Sequence, residues 1–326
     1  MAEWLYEEGI GENRAILVED GRILEAAIEL PGLLAVGTVA EARLSKILVP
    51  GRRGLAELDC GAEAMIEPLP AALTEGQKLR VEIVREPIAE PGRPKLAKAR
   101  WCDSAPRTGL RLYERIGRPP LHRPGGTDPF EEAGWSELLE EAASGEIPFS
   151  GGALRMSLTP AMTLFDVDGA LPPAELAAAG AAAAATAIRR LAIGGSIGID
   201  LPTLPSRAGR QRAAQAFDAL LPQPFERTAV NGFGFLQIVR RRERASIAEI
   251  VQHDPAGAAA RALLRRAERS AGAGERTIRA APAVIARIEA NPDWAERLSR
   301  RIGAPVRLRA EPALPISGGD VQSAHS

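Results

Sequence analysis

The stretch Ala161-Met162-Thr163-Leu164-Phe165-Asp166-Val167-Asp168-Gly169 constrains this chain more than any other, because an apolar run ending in two carboxylates and a glycine reads as a buried strand that delivers acid to a sheet edge. Residues two apart on a strand point the same way, so Asp166 and Asp168 share a face, about 7 Å apart along the chain. Pro172-Pro173 then opens a helix, proline being tolerated in a first turn, and residues 174–192 are mostly strong helix formers. The low complexity of this segment would also suit a linker, but Leu176, Ile188 and Leu191 with small alanines supply a packable face and favour the helix. Gly194-Gly195 stops it, and Ser196-Ile197-Gly198-Ile199-Asp200-Leu201 is a second buried-looking strand, closed by Pro202. Strand, helix and strand make a βαβ unit, whose crossover sets the two strands parallel in one sheet. If they are neighbours, about 4.8 Å apart, their carboxyl ends lie side by side and Asp200 joins Asp166 and Asp168.

Ligands of open α/β sheets gather outside the carboxyl ends of the strands. Three acids there, with few hydroxyls or imidazoles close in sequence, suit a hard, oxygen-ligated cation, Mg²⁺ or Mn²⁺. Such an ion can generate hydroxide and neutralise phosphate charge during in-line displacement. Helix caps or solvated strand ends would explain the same acids without a metal.

The formal net charge of −1 hides an asymmetry: residues 201–310 hold 20 Arg and 10 acids, whereas residues 1–200 hold 21 basic residues and 30 acids. A basic second half suits a polyanion. Only four of the 41 basic residues are Lys, so a compositional bias toward Arg and Ala is the competing explanation. Arginine forks match phosphate oxygens bidentately, which makes Arg207, Arg210, Arg240, Arg241 and Arg242 the candidate backbone contacts, with Lys98 and Arg100 further upstream. Arg261, Arg265, Arg266 and Arg269 recur at spacings of three and four, as on a solvated helix face.

Upstream the reading is β. Residues 14–30 hold apolar runs flanking Asp20-Gly21, a hairpin signal because a type I′ turn needs φ > 0 at both central positions. Segments 39–44, 54–59, 65–69 and 78–85 are short strands at the spacing of a small barrel. Barrels of the S1/OB type bind single strands through basic grooves and stacking aromatics, yet no Phe, Tyr or Trp occurs between Tyr6 and Trp101. A barrel that only props up its neighbour fits equally. Proline and glycine break up residues 102–148, a connector in which only 135–143 looks helical. Cys60 and Cys102, without metal-ligand spacing, read as core thiols, and no zinc is expected. His122, His253 and His325 lack partners at ligand spacing. The N-terminus lacks signal-peptide order and no run of about 18 apolar residues occurs, so a cytoplasmic protein without a membrane segment is expected.

In order along the chain, these features resemble the ribonuclease E/G family of bacterial endoribonucleases. Gly151-Gly152-Ala153-Leu154-Arg155-Met156-Ser157-Leu158-Thr159-Pro160 with 161–168 is similar to that family's Ser-Gly-Gly…Ile-Asp-x-Asn motif. Residues 191–204 resemble its Leu-Gly-Gly-x-Ile-Val-Ile-Asp-Phe-Ile-Asp-Met segment, and Asn231-Gly232-Phe233-Gly234-Phe235-Leu236 with the arginines to Arg242 its Arg-Phe-Gly-Leu segment. Segments 14–30 and 54–68 resemble the family's start and its inserted S1 domain. By this resemblance Asp166 falls on the catalytic metal-binding aspartate and Asp168 on the adjacent asparagine. The second metal-binding aspartate falls on Thr203, leaving Asp200 as substitute. The 5′-end sensor is collapsed into 102–148, with Arg107-Thr108 its only echo, and the cysteines that join family dimers are absent.

The expected architecture is α/β, α+β overall: an N-terminal β segment (1–34, an RNase H-like remnant by resemblance), an S1/OB-like barrel (35–101), a shortened connector (102–148), a catalytic α/β domain (149–250), a small C-terminal domain (251–312) and a disordered tail (313–326). The resemblance implies an Mg²⁺-dependent endoribonuclease that binds single-stranded RNA and hydrolyses its backbone to a 5′-phosphate and a 3′-hydroxyl. In that expectation Asp166, Asp168 and Asp200 are catalytic and metal-binding. The alternative is a catalytically impaired RNA-binding protein of the same fold, and a non-nucleic-acid α/β protein with a structural acid cluster is a third.

Overall fold

The Asp20-Gly21 turn forms as its sequence demands, with φ of 50° and 72° at its two centres. It joins two strands of an antiparallel sheet of order β1-β2-β3: β1 (Glu3–Glu8), β2 (Asn13–Glu19) and β3 (Arg22–Glu29). The structure is a computed structural model and describes residues 1–90, 94–122 and 127–325.

A closed five-stranded barrel follows, made of β4 (Val39–Val49), β5 (Arg53–Leu58), β6 (Glu63–Ile66), β7 (Lys78–Arg85) and β8 (Ala97–Trp101). The strands run in the order β4-β5-β6-β8-β7, and β7 pairs back onto β4. Only the β6–β8 pair is parallel. Alternate residues fill the interior, Ala42 and Leu44, Ala56 and Leu58, Val81 and Ile83, Ala97 and Ala99, as the two-residue period of a strand requires. Cys60 is exposed in the turn after β5 and Cys102 only half-buried, which corrects the reading of both as core thiols: Asp59-Cys60-Gly61 carries the chain between strands, outside the barrel.

Residues 102–148 hold α1 (Leu112–Arg115), α2 (Pro129–Glu132) and α3 (Trp135–Ser144). Phe130, Trp135 and Leu138 are buried, so the latter part of this stretch contributes core and is more than a connector.

Next comes β9 (Glu146–Phe149), β10 (Gly152–Leu158), β11 (Thr163–Gly169), α4 (Pro173–Arg190), β12 (Gly195–Asp200), α5 (Arg207–Asp218), β13 (Glu226–Arg227) and β14 (Phe235–Arg240). The six strands form one sheet of order β13-β14-β12-β11-β10-β9. The βαβ unit is present: β11 and β12 are parallel neighbours and every other pair is antiparallel. The alanine-rich α4 is a true helix whose small residues allow close approach to the sheet. A Cβ on Gly180 would stand 2.4 Å from Val167 Cγ1. Gly180→Ala should gain about 1 kcal/mol of helix propensity and lose about 1–3 kcal/mol to overpacking. At so short an approach the second effect wins, and urea unfolding should show a net loss of about 1 kcal/mol. A stabilised variant would contradict the approach.

The chain continues through α6 (Ile247–His253), α7 (Pro255–Arg269), β15 (Ala273–Ala280), α8 (Pro282–Glu289), α9 (Pro292–Ile302), β16 (Val306–Ala310) and β17 (Asp320–His325). The last three strands form a sheet of order β16-β15-β17. The expected disordered tail is therefore corrected over 320–325: Asp320 and Val321 stand in register with Arg279 and Ile278, and Val321 packs on the apolar core.

The chain divides into two compact units. One comprises Met1–Pro31, Pro119–Ala143 and Ile250–Ser326; the other comprises Gly32–Arg118 and Ser144–Glu249. In the first, Arg261 and Arg265 are buried against Glu12, and Arg269 pairs with Glu7 and Asp128. Only Arg266 of that series is exposed, which corrects the solvated-face reading of α7. In the second, the barrel is tied to the six-stranded sheet. Glu86 N donates to Glu243 O at 2.8 Å, Arg244 Nε lies 2.9 Å from Glu86, and Arg242 binds Glu90 at 3.2 Å and Glu249. Among the described residues no helix is long and apolar enough to cross a membrane.

Candidate functional site

Helix α4 covers one face of the six-stranded sheet. Phe165 and Val167 of β11, Leu154 and Met156 of β10, and Ile197 and Ile199 of β12 are buried on that side. The strand period sends their neighbours to the opposite face. There Arg155 and Ser157, Asp166 and Asp168, Asp200, Gln237 and Val239 are exposed.

Asp166 and Asp200 stand directly in register across the parallel β11–β12 pair. Neighbouring strands lie about 4.8 Å apart, so the two carboxylates are adjacent. Asp200 is in turn in register with Phe235 on β14, and Asp166 with Arg155 on β10. The third acid does not join them. Asp168 lies two residues beyond the last β11–β12 pair and faces Arg155, whose Nη1 is 3.6 Å from Asp168 Oδ2 and whose Nε is 3.3 Å from Glu146 Oε1. Among the described residues no group of three or more His, Cys, Asp or Glu side chains is placed to hold a metal ion. The expected convergence of three acids is thus corrected: Asp166 and Asp200 stand together, and Asp168 stands apart with Arg155. Mg²⁺ commonly takes one or two carboxylates and completes its shell with waters and phosphate oxygens. Asp166 and Asp200 fit that donor set. Thr203 is exposed in the loop between β12 and α5, three residues past Asp200.

The basic candidates separate into committed and uncommitted side chains. Arg242 is committed to Glu90 and Glu249, Arg100 to Glu82 at 2.6 Å, and Lys98 to Glu67 at 2.9 Å. Hydrogen bonds from Lys98 and then Arg53 lower the Glu67 carboxyl to about 2, so Lys98 faces an ionised partner at neutral pH. Arg240 Nη1 donates to Ile193 O at 3.2 Å, and Arg210 Nη1 to Leu204 O at 2.7 Å and Pro205 O at 3.0 Å. Arg241 holds Glu243 at 3.0 Å but keeps 70% of its side chain exposed. Arg207 is exposed at the first turn of α5.

Two features escape a reading of charge and motif. Phe233 is 83% exposed. It is held there by a built turn, in which Asn231 Oδ1 accepts from Phe233 N at 2.9 Å and Phe235 N at 3.0 Å. The Phe235 ring lies over Gly198, where a Cβ would stand 2.6 Å from its Cζ. The Gly-Phe-Gly-Phe spacing was the available signal. The β4–β5 hairpin is the other feature: Lys46, Leu48, Val49 and Arg52 are all exposed on it.

The chain matches no protein-family model and no curated protein.

Proposed function

We propose that the chain binds single-stranded RNA and cleaves its backbone by metal-dependent hydrolysis, in the manner of the ribonuclease E/G family it resembles. The observation that carries the reading is the register of Asp166 with Asp200 on an exposed sheet face, flanked by Phe235 on one side and Arg155 on the other. Asp166 and Asp200 would hold Mg²⁺ or Mn²⁺, which when bound supplies charge neutralisation and an activated water at a phosphodiester. Phe233 and Phe235 offer flat apolar faces on which unpaired bases stack, a contact every base can make. Arg155, in register with Asp166, places a guanidinium where phosphate charge would lie.

The barrel supports the same partner. Strand order 1-2-3-5-4 with a parallel 3–5 pair is OB-type topology, and such barrels take oligonucleotides on the face of their second and third strands and on the loop after the first. In this chain that loop is the β4–β5 hairpin with Lys46 and Arg52.

A second reading, an RNA-binding protein without catalysis, is favoured by the Asp168–Arg155 ion pair and by Thr203, where the resemblance calls for a carboxylate. One experiment separates them. An end-labelled single-stranded RNA is incubated with the protein, with and without Mg²⁺, while affinity is followed against salt. The proposed activity gives Mg²⁺-dependent fragments with 5′-phosphates and an affinity that falls steeply with ionic strength. Tight, salt-sensitive binding without fragments establishes the second reading, and salt-independent or absent binding removes RNA as the partner.

A further inference from the structure

The barrel and the sheet face leave one basic groove unexplained. It lies between α5 and the segment after β13, has a volume of about 490 Å³, and is lined by Arg207, Arg210, Gln211, Gln215, Arg227 and the apolar Ala214, Ala229 and Val230. We propose that this groove binds one nucleotide unit of a single-stranded RNA, with Arg207 on a phosphate oxygen and Gln211 and Gln215 on the edge of the base. The inference rests on the RNA reading above and adds a second point of attachment to it.

The lining chemistry selects this ligand. Three arginines and no acid line the groove, so it attracts an anion. Two of the three are fixed in place. Arg227 forks onto Asp218, with Nε to Oδ1 at 2.6 Å, and that hydrogen bond raises its pKa. Arg210 is pinned to the Leu204 and Pro205 carbonyls. Arg207 has no ion pair or side-chain hydrogen bond among the described residues, and it is the cation left to take a phosphate.

Arg207, Gln211 and Gln215 follow at spacings of four, which places them on one face of α5. Among the described residues neither glutamine amide has a side-chain partner, and each offers both a donor and an acceptor. An inorganic phosphate would satisfy the guanidinium but leave the amides and the Ala/Val wall unused. A nucleotide uses all three: phosphate on Arg207, heterocycle edge on the amides, ring face on Ala214, Ala229 and Val230. The volume lies within the range of pockets that take small ligands. Arg207 is seven residues past Asp200, so a chain span of at most about 25 Å separates the groove from the acid pair. A single RNA strand can reach both.

The test uses the full chain, a single-stranded RNA oligomer, and an abasic oligomer of the same length that keeps only ribose and phosphate. Affinities are read by fluorescence anisotropy across a salt series without divalent metal. Arg207→Ala is expected to weaken both oligomers and to reduce the slope of log affinity against log salt by about 1, the signature of one lost phosphate contact. Gln211→Ala with Gln215→Ala is expected to weaken the ordinary RNA about tenfold, as the loss of base-edge contacts does, and to leave the abasic oligomer and the salt slope unchanged. All three side chains are exposed, so the fold should survive each change. Wild-type affinities and slopes in these variants, beside clear RNA binding by wild type, overturn the groove alone. Equal loss on both oligomers in the glutamine variant overturns its base-reading role. Absence of RNA binding by wild type removes both the groove and the proposed function.

Discussion

Arg14→Ala should destabilise the unit built on β1–β3 by about 3 kcal/mol, the lower end of the cost of breaking a buried ion pair, because Arg269 still faces the same two carboxylates. Arg14 sits on β2 with its side chain fully buried, in register with the equally buried Glu7 of β1. Its Nη2 donates to Glu7 Oε2 at 3.1 Å and Asp128 Oδ2 at 2.7 Å. The guanidinium also lies over the rings of Phe130 and Trp135, 4.1 Å and 5.2 Å from their centres. Truncation removes the cation, its hydrogen bonds and the aromatic stacking together.

The acid dependence gives an independent check. Burial pushes the Asp128 carboxyl up, but Arg14 and then Arg269 pull it down further, and the net result lies below the usual carboxylate range. A depressed carboxylate contributes stability that is complete above its unfolded value, near 4, and is lost as pH falls through the folded value. Wild type should therefore lose stability below about pH 4 through this group, and Arg14→Ala should lose less over the same range, because its Asp128 is no longer held down so far. Urea unfolding at several pH values, with hydrogen exchange at β2, measures both. A loss below about 1 kcal/mol would show that the ion network is incidental.

That network also shows where the sequence stops being legible. The Asp20-Gly21 turn, the four early strands of the barrel and the βαβ unit all follow from local chemistry: a positive-φ pair, a two-residue period, and an apolar run interrupted by a helix-forming segment. Their partners are close in the chain, so the pattern and the contact are read together. The arginines of α7 are a different case. A spacing of three and four places Arg261, Arg265 and Arg269 on one helix face, but whether that face meets water or carboxylate depends on Glu7, Glu12 and Asp128, which lie more than a hundred residues away. Nothing local to residues 255–269 carries that information. Val321 and Asp320 were obscured in the same way. Their Pro- and Gly-rich surroundings look disordered, and the strand exists because Ile278 and Arg279 stand opposite.

At the site, sequence spacing anticipated that Asp166 and Asp200 stand side by side but not that Asp168 stands apart from them, because alternation along a strand says which face a residue takes but not where the neighbouring strand ends. β12 pairs with β11 as far as Asp200. Beyond it Asp168 meets only β10, and Arg155 is the group it finds there.

This division yields the second large effect. On the proposed metal-dependent cleavage, Asp166→Asn should reduce the rate about a thousandfold, since charge stabilisation by a bound metal would be worth several kcal/mol. Asp200→Asn should fall in the same range, because in that proposal each acid would supply half of the donor pair. Asp168→Asn should cost far less: its partner is an exposed arginine, and surface pairs of that kind are worth at most about 1 kcal/mol. RNA affinity measured without metal should be nearly the same in all three variants, with the barrel hairpin and the phenylalanines intact. Thr203→Asp provides the converse. The position is exposed, so an added carboxylate is cheap to accommodate, and a third oxygen donor near Asp200 should lower the Mg²⁺ concentration at which cleavage is half-maximal. Single-turnover cleavage titrated with Mg²⁺ reads every arm. Equal rates for wild type and Asp166→Asn would remove the acid pair from the chemistry, whatever the RNA affinity.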